Sequence, residues 1–295
     1  MTDKTNPNLI DPLRWSGMFL IALGLLHIPV WILDGSDWEG SVSWRKPILF
    51  GVSTGLTLWS LSWLQRSFCG RPRLRLIDRW GGWMMAFALV LEVGLITFQA
   101  WRGEASHFNQ STGFNGAIDG WMLALICIAF VGITYYTVRT FGKLKLENDY
   151  ALSARVGMLF LVASCLIGFV ISSYGYRQTS VGLPPETVGE SGVAKFPHGV
   201  AIHAIQIFPA MVFLMRWFPT STNFRVTVVR WLSLGMLCQI IFASYQTMSG
   251  FARYDIQTST GVALVVAGWL CALVPLARLM VKGRRLVLVK SNHSP

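Results

Sequence analysis

Four of the five histidines, His27, His107, His198 and His203, fall at or beside the ends of long apolar runs; the fifth, His293, is close to the C-terminus. A neutral imidazole there is a hydrogen-bonded core side chain, a metal ligand or a proton acceptor near pH 7. His27 and His203 are candidate metal ligands, and His27, His107, His198 and His203 together are candidate ligands of a heme iron. Arg45-Lys46 suits the clamping of a propionate or another anion, since guanidinium meets carboxylate in bidentate fashion. Glu92 is an ionisable group in the middle of an apolar run, which makes it a site hypothesis by default. Arg102, Glu104 and His107 follow within Arg-Gly-Glu-Ala-Ser-His. Glu-x-x-His places carboxylate and imidazole within mutual reach if that segment is helical, and a single such motif does not make a di-iron centre. Glu92, Arg102, Glu104 and His107 are therefore the candidate catalytic groups. On helices, Glu92 and Gln99 share a stripe, as do His203 and Gln206, whereas His198 and His203 point about 140° apart.

The elements that must position these groups are apolar. The 295 residues are 53% hydrophobic and 13% charged, with mean hydropathy +0.49, against roughly 25% charged for a soluble domain. Blocks of about twenty apolar residues are long enough to cross a bilayer. They predict an all-α integral membrane protein of eight transmembrane helices at 15–33, 47–64, 81–101, 117–138, 156–174, 199–217, 231–248 and 261–280. The first is kept as a span, because it contains His27 and Pro29 and no small-x-small cleavage pattern follows it. Pro47 and Pro197 suit helix first turns. Four of the five cysteines lie inside spans, so neither a disulfide framework nor a Cys-x-x-Cys site is expected. Zinc-protease, P-loop and hydrolase signatures are absent from the sequence. The Gly-rich connection 182–199 reads as a lid or as a loose linker.

Lys and Arg number nineteen in the tails and the second, fourth and sixth connections, and six in the other four connections. The positive-inside rule then places both termini in the cytoplasm and the histidine-bearing segments on the opposite face. The formal charge of +11 is explained by this asymmetry, and no nucleic-acid partner is needed. The Arg71–Arg75 run marks topology or meets lipid headgroups.

The chain also repeats itself. Thr112-Gly113, Gly120-Trp121 and Ala124-Leu125 recur as Thr260-Gly261, Gly268-Trp269 and Ala272-Leu273. One residue out of that register, Phe98-Gln99 and Gly103 match Tyr245-Gln246 and Gly250, and Glu92 falls on Gln239. Two four-helix halves, 1–146 and 147–295, follow, parallel in the membrane because each begins on the same side. In that arrangement Glu92 and Gln239 would sit at equivalent depths and join the halves through a carboxyl–amide bond.

This doubled plan with histidines gathered at one face is similar in outline to heme A synthase and other membrane b-type heme proteins, where paired imidazoles from neighbouring helices hold iron. The Glu-x-x-His-Arg pattern of heme A synthase is met as Glu104-Ala105-Ser106-His107-Phe108, with Phe for Arg. The resemblance implies heme as the cofactor and a redox function. The alternatives from the same residues are a small-solute transporter or permease, with Glu92 and Gln99 along the path, and a non-redox enzyme at the outer leaflet. Membrane lipids and a small-molecule ligand at the outer face are the expected partners, and short loops suggest a bacterial inner membrane.

Overall fold

The structure, a computed structural model, describes residues 11–291, with side chains as far as residue 275 and at 277–278. Residue 293, one of the histidines noted above, lies outside the described residues. The chain divides into two compact units, Met1–Lys145 and Leu146–Pro295.

The first unit contains α1 (Pro12–Asp34), α2 (Arg45–Ser67), α3 (Pro72–Trp101) and α4 (Gly113–Thr140). Their ends follow local chemistry. Asp11 caps α1 by accepting from the Arg14 N–H at 3.0 Å, with Pro12 in the first turn, and Gly35 closes it at φ 66°. Thr112 caps α4 through the Asn115 N–H at 3.1 Å. Helices α1 and α2 cross backbone to backbone. A Cβ on Gly17 would stand 2.7 Å from the Gly55 oxygen, and one on Gly51 would stand 2.8 Å from the Gly24 Cα. Such close approach of small residues is how helices associate where burial of apolar surface gives little drive.

The second unit contains α5 (Asn148–Ser180), a two-residue antiparallel ribbon of β1 (Thr187–Val188) and β2 (Gly192–Val193), α6 (Phe196–Ala201), α7 (Ala204–Met215), α8 (Thr222–Met248) and α9 (Ser259–Ser291). Thr187 pairs with Val193 and Val188 with Gly192. Glycine again permits close crossings: a Cβ on Gly157 of α5 would meet the Ile205 Cα of α7 at 2.8 Å, and one on Gly235 of α8 the Gly268 oxygen of α9 at 2.9 Å.

Among the described residues seven segments are long and apolar enough to cross a membrane: α1 to α5, the α6–α7 pair over Phe196–Met215, and α8. The protein is thus an all-α, multi-pass membrane protein in contact with lipid. Within the described residues α9 is apolar over Ser259–Pro275.

Two sequence expectations change. The span at 199–217 is not one helix: it breaks at Ile202–His203, where His203 takes φ −96° and ψ 10°. The angle between His198 and His203 counted along a continuous helix therefore does not apply. The connection 182–199 is no loose linker. Ser191 N–H donates to the Gly250 oxygen at 3.1 Å, Thr247 Oγ1 to the Val193 oxygen at 3.1 Å, and Tyr174 Oη to the Thr187 oxygen at 2.8 Å, which tie the ribbon to α5 and α8.

Candidate functional site

The polar side chains of the first unit collect where α3 ends and the 102–112 connection begins. Gln99 is fully buried. Its Nε2 donates to the Ala105 oxygen at 3.4 Å and to Asn115 Oδ1 at 3.2 Å, and its Oε1 accepts from Arg102 Nη1 at 2.5 Å. Arg102 Nη1 also donates to Asn115 Oδ1 at 2.8 Å, and its guanidinium lies over the rings of Phe98 and Phe114 at 5.4 and 4.9 Å. Asn115 Nδ2 in turn donates to Glu104 Oε2 at 3.2 Å, as does Asn109 Nδ2 at 3.0 Å. The backbone turns at Gly103, φ 69°, so that the Glu104 N–H reaches the Gln99 oxygen at 3.0 Å. That left-handed residue after a helix is the ordinary place for glycine.

Two turns earlier on the same stripe of α3, Glu92 is 5% exposed. Its Oε1 stands 3.7 Å from His107 Nε2, and its buried Oε2 has no hydrogen-bond partner. The separation is too long for a hydrogen bond and short enough for a charge pair. His107 is held in place from several sides. Ser106 Oγ lies 2.9 Å from its Nδ1, and the Phe50 ring stacks on it with centroids 5.9 Å apart. The next residue, Phe108, has φ 59°, and among the described residues it is the one non-glycine with positive φ. Asp119, 2% exposed, accepts the Phe108 N–H at 3.0 Å and the Gln110 amide at 2.9 Å. A bulky residue in that conformation costs about 1–2 kcal/mol, and the buried Asp119 carboxylate offsets it by accepting the Phe108 N–H. Ser43, Lys46, Ile96, Glu104 and Ser106 line a narrow crevice beside this network.

The remaining candidates of this unit are engaged elsewhere. His27, 5% exposed, donates from Nδ1 to the Leu23 oxygen at 2.8 Å and accepts at Nε2 from Trp101 Nε1 at 3.1 Å. Trp44 stacks on it at 5.8 Å and donates its own indole N–H to Asp34 at 2.8 Å. Arg45 is buried and ion-paired with Glu39. Lys46 lines the crevice.

In the second unit His198 Nδ1 donates to the Ser164 oxygen at 2.7 Å, and Ser164 Oγ donates to the His198 oxygen at 2.9 Å. Gly168 leaves the space for this ring, since a Cβ there would stand 3.3 Å from Nδ1. His203 pairs with Gln206 at the start of α7. At the end of α8, Gln246 is fully buried; its Nε2 donates to the oxygens of Ala252 and Asp255 at 2.9 and 2.5 Å, while its Oε1 has no partner. Gly250, φ 74°, turns the chain there. Gln239 lies against Gly268 of α9 and Glu92 against His107, so each member of that sequence-matched pair has a neighbour within its own unit.

Of the sequence candidates, the structure thus brings together Glu92 with His107, and Arg102 with Glu104 through Asn115 and Gln99. His27 stands apart among tryptophans, and His198 and His203 belong to the second unit. Among the described residues no three His, Cys, Asp or Glu side chains gather closely enough to hold a metal ion.

Sequence reasoning missed Asp119 and Asn115, although an Asp inside the run 117–138 carried the same signal as Glu92. It also missed the acids that neutralise arginines at the opposite end of each unit. Asp78 holds Arg139 Nε at 2.8 Å and Tyr135 Oη at 2.8 Å. Asp149 holds Arg216 at 2.8 Å and Arg225 at 2.5 Å. Asp11 accepts from Ser62 Oγ at 2.6 Å and Arg66 Nη2 at 2.7 Å. Burial pushes the Asp11 carboxyl upward, but hydrogen bonds from Ser62, Arg66 and the Arg14 N–H outweigh it and hold the group below its ordinary value.

Comparison of the chain with protein-family models, with curated proteins and with solved structures found no match.

Proposed function

We propose that this membrane protein exchanges or transports a small polar solute in a proton-linked manner at the His107 end of its first unit. Glu92 is the proton-bearing carboxyl, and His107, half-buried and opposite it, passes the proton to the aqueous side. Arg102, Glu104, Asn115 and Gln99 form the rigid frame. The observation that carries this reading is the buried Glu92 Oε2 with no partner, 5% exposed on a membrane-crossing helix. A buried carboxylate left partly unsatisfied costs several kcal/mol and is kept where it has work to do. In this reading solute reaches the pair beside Lys46 and Glu104, and the 102–112 connection moves to admit it.

The finer topology belongs to the same proposal. Eight spans, α9 included, put both termini in the cytoplasm and the Glu92–His107 pair on the outer side, in a bacterial cell membrane. The two units are copies of one four-helix plan. Support comes from the shared pattern within each: first helix on second through glycine, third on fourth, and a buried Gln before a left-handed Gly.

The test is a proteoliposome assay with a trapped pH dye under an imposed solute gradient. Wild type moves protons with solute, Glu92→Gln abolishes the movement with the fold intact, and His107→Gln slows it. Undiminished flux in Glu92→Gln overturns the reading. Heme is the alternative: it requires His27 to surrender its bond from Trp101, or His107 Nε2 to turn from Glu92. A Soret band in the purified protein, sharpened by dithionite and lost in His27→Ala or His107→Ala, would replace the transport reading with that one.

A further inference from the structure

The start of α3 carries a charged surface that the proposed site does not use. Arg71, Arg73, Arg75 and Arg79 are all exposed, and among the described residues Arg71, Arg73 and Arg79 have no side-chain partner. The acids near them are spent: Asp78 is 3% exposed and bound to Arg139 and Tyr135, and Asp11 is bound to Ser62 and Arg66. The charges of Arg71, Arg73 and Arg79 are therefore uncompensated by protein among the described residues.

Apolar side chains stand among the arginines. Leu74, Leu76, Ile77 and Trp80 are 40%, 54%, 44% and 67% exposed. A helix of 30 residues is about 45 Å long, roughly 15 Å more than the hydrocarbon core of a bilayer. The turns from Pro72 to Trp80 therefore lie at headgroup depth. Arg71, Arg75 and Arg79 follow one another at i+4 and make one stripe, with Leu76 and Trp80 on the strip beside it. Side chains so arranged send their apolar parts into the acyl region while the guanidiniums take phosphate oxygens in bidentate pairs.

We propose that Arg71–Trp80 is a binding surface for anionic glycerophospholipid, read through its phosphate and its net negative charge. This inference does not depend on the transport reading.

The experiment uses the full chain in phosphatidylcholine vesicles titrated with dansyl-labelled phosphatidylglycerol, read by energy transfer from tryptophan. Each basic residue near an anionic surface contributes about fivefold. Arg71→Gln/Arg73→Gln/Arg79→Gln is expected to weaken binding at least tenfold and to remove most of its salt dependence, with the melting temperature in phosphatidylcholine unchanged. The charge-matched control Lys143→Gln/Lys145→Gln/Arg230→Gln removes basic residues outside the proposed surface and is expected to lose clearly less affinity than the arginine triple. An equal loss in both triples would show a diffuse charge effect and overturn the proposal. So would wild-type binding in the arginine triple, which would leave the arginines as a topology signal alone. Displacement of the lipid by millimolar inorganic phosphate would assign the site to free phosphate and equally overturn it.

Discussion

Gln99 and Gln246 stand at matching places in the two units and close their helices in the same way. Each is fully buried, each is followed four residues later by a glycine at φ near 70°, and each gives its Nε2 to the carbonyl six residues on. They differ in the other half of the amide. Gln99 Oε1 accepts from Arg102, which also binds Asn115, and through Asn115 the turn is joined to Glu104. At the position of Arg102 the second unit has Ser249, and Gln246 Oε1 is without a partner. The same turn is thus the hub of a charged network in one unit and a plain helix stop in the other. What separates a polar site from a structural motif here is one guanidinium and one amide added to a shared frame.

The largest expected effect of breaking this comparison is at Gln99. Gln99→Leu removes the buried amide's bonds to the Ala105 oxygen, to Asn115 and to Arg102, and denaturant unfolding in mixed micelles should show a loss of about 3 kcal/mol. Arg102→Leu leaves Gln99 Oε1 in the condition of Gln246 Oε1 and should cost about 2 kcal/mol on the same scale. Gln246→Leu removes two amide bonds to backbone but also an orphaned acceptor, so its cost should be about 1 kcal/mol. Equal losses for Gln99→Leu and Gln246→Leu would mean that the Arg102 network adds nothing. Gly103→Ala and Gly250→Ala should each cost about 1 kcal/mol and match one another, because both impose a left-handed backbone on a residue with a Cβ and neither meets a contact under 3.4 Å. A large difference between them would show that the two turns are not equivalent.

The smallest effect concerns pH and lies at the opposite end of the first unit. Because the folded Asp11 carboxyl is held below its ordinary value, its contribution is present above about pH 4, the unfolded carboxylate range, and fades as pH falls through the lower folded value. Asp11→Asn should remove that part of the acid sensitivity, by less than about 1 kcal/mol for a partly exposed pair, in melts compared between pH 3 and pH 6.

Much of this was legible in the sequence. Runs of apolar residues announced the helices because a membrane-crossing segment must satisfy its backbone internally, so length alone is diagnostic. The stripe joining Glu92 and Gln99 followed from helical spacing, and both are buried as that spacing requires. The break at Ile202–His203 was not legible, because no glycine or proline marks it. Nor was the role of Asp119: its partners are the Phe108 N–H and the Gln110 amide, groups with no periodic pattern to read. His27 looked like a ligand by type, yet which atoms saturate an imidazole depends on neighbours such as Trp101, 74 residues away in sequence.

The pairing of Glu92 with His107 is the point on which the functional reading turns, and infrared titration of the membrane-reconstituted protein addresses it directly. A carboxyl C=O stretch that appears and disappears with pH, absent in Glu92→Gln and displaced in His107→Gln, is the expected result. A band unchanged by either substitution, or no titrating buried carboxyl between pH 4 and pH 9, would contradict a proton site built from these two side chains.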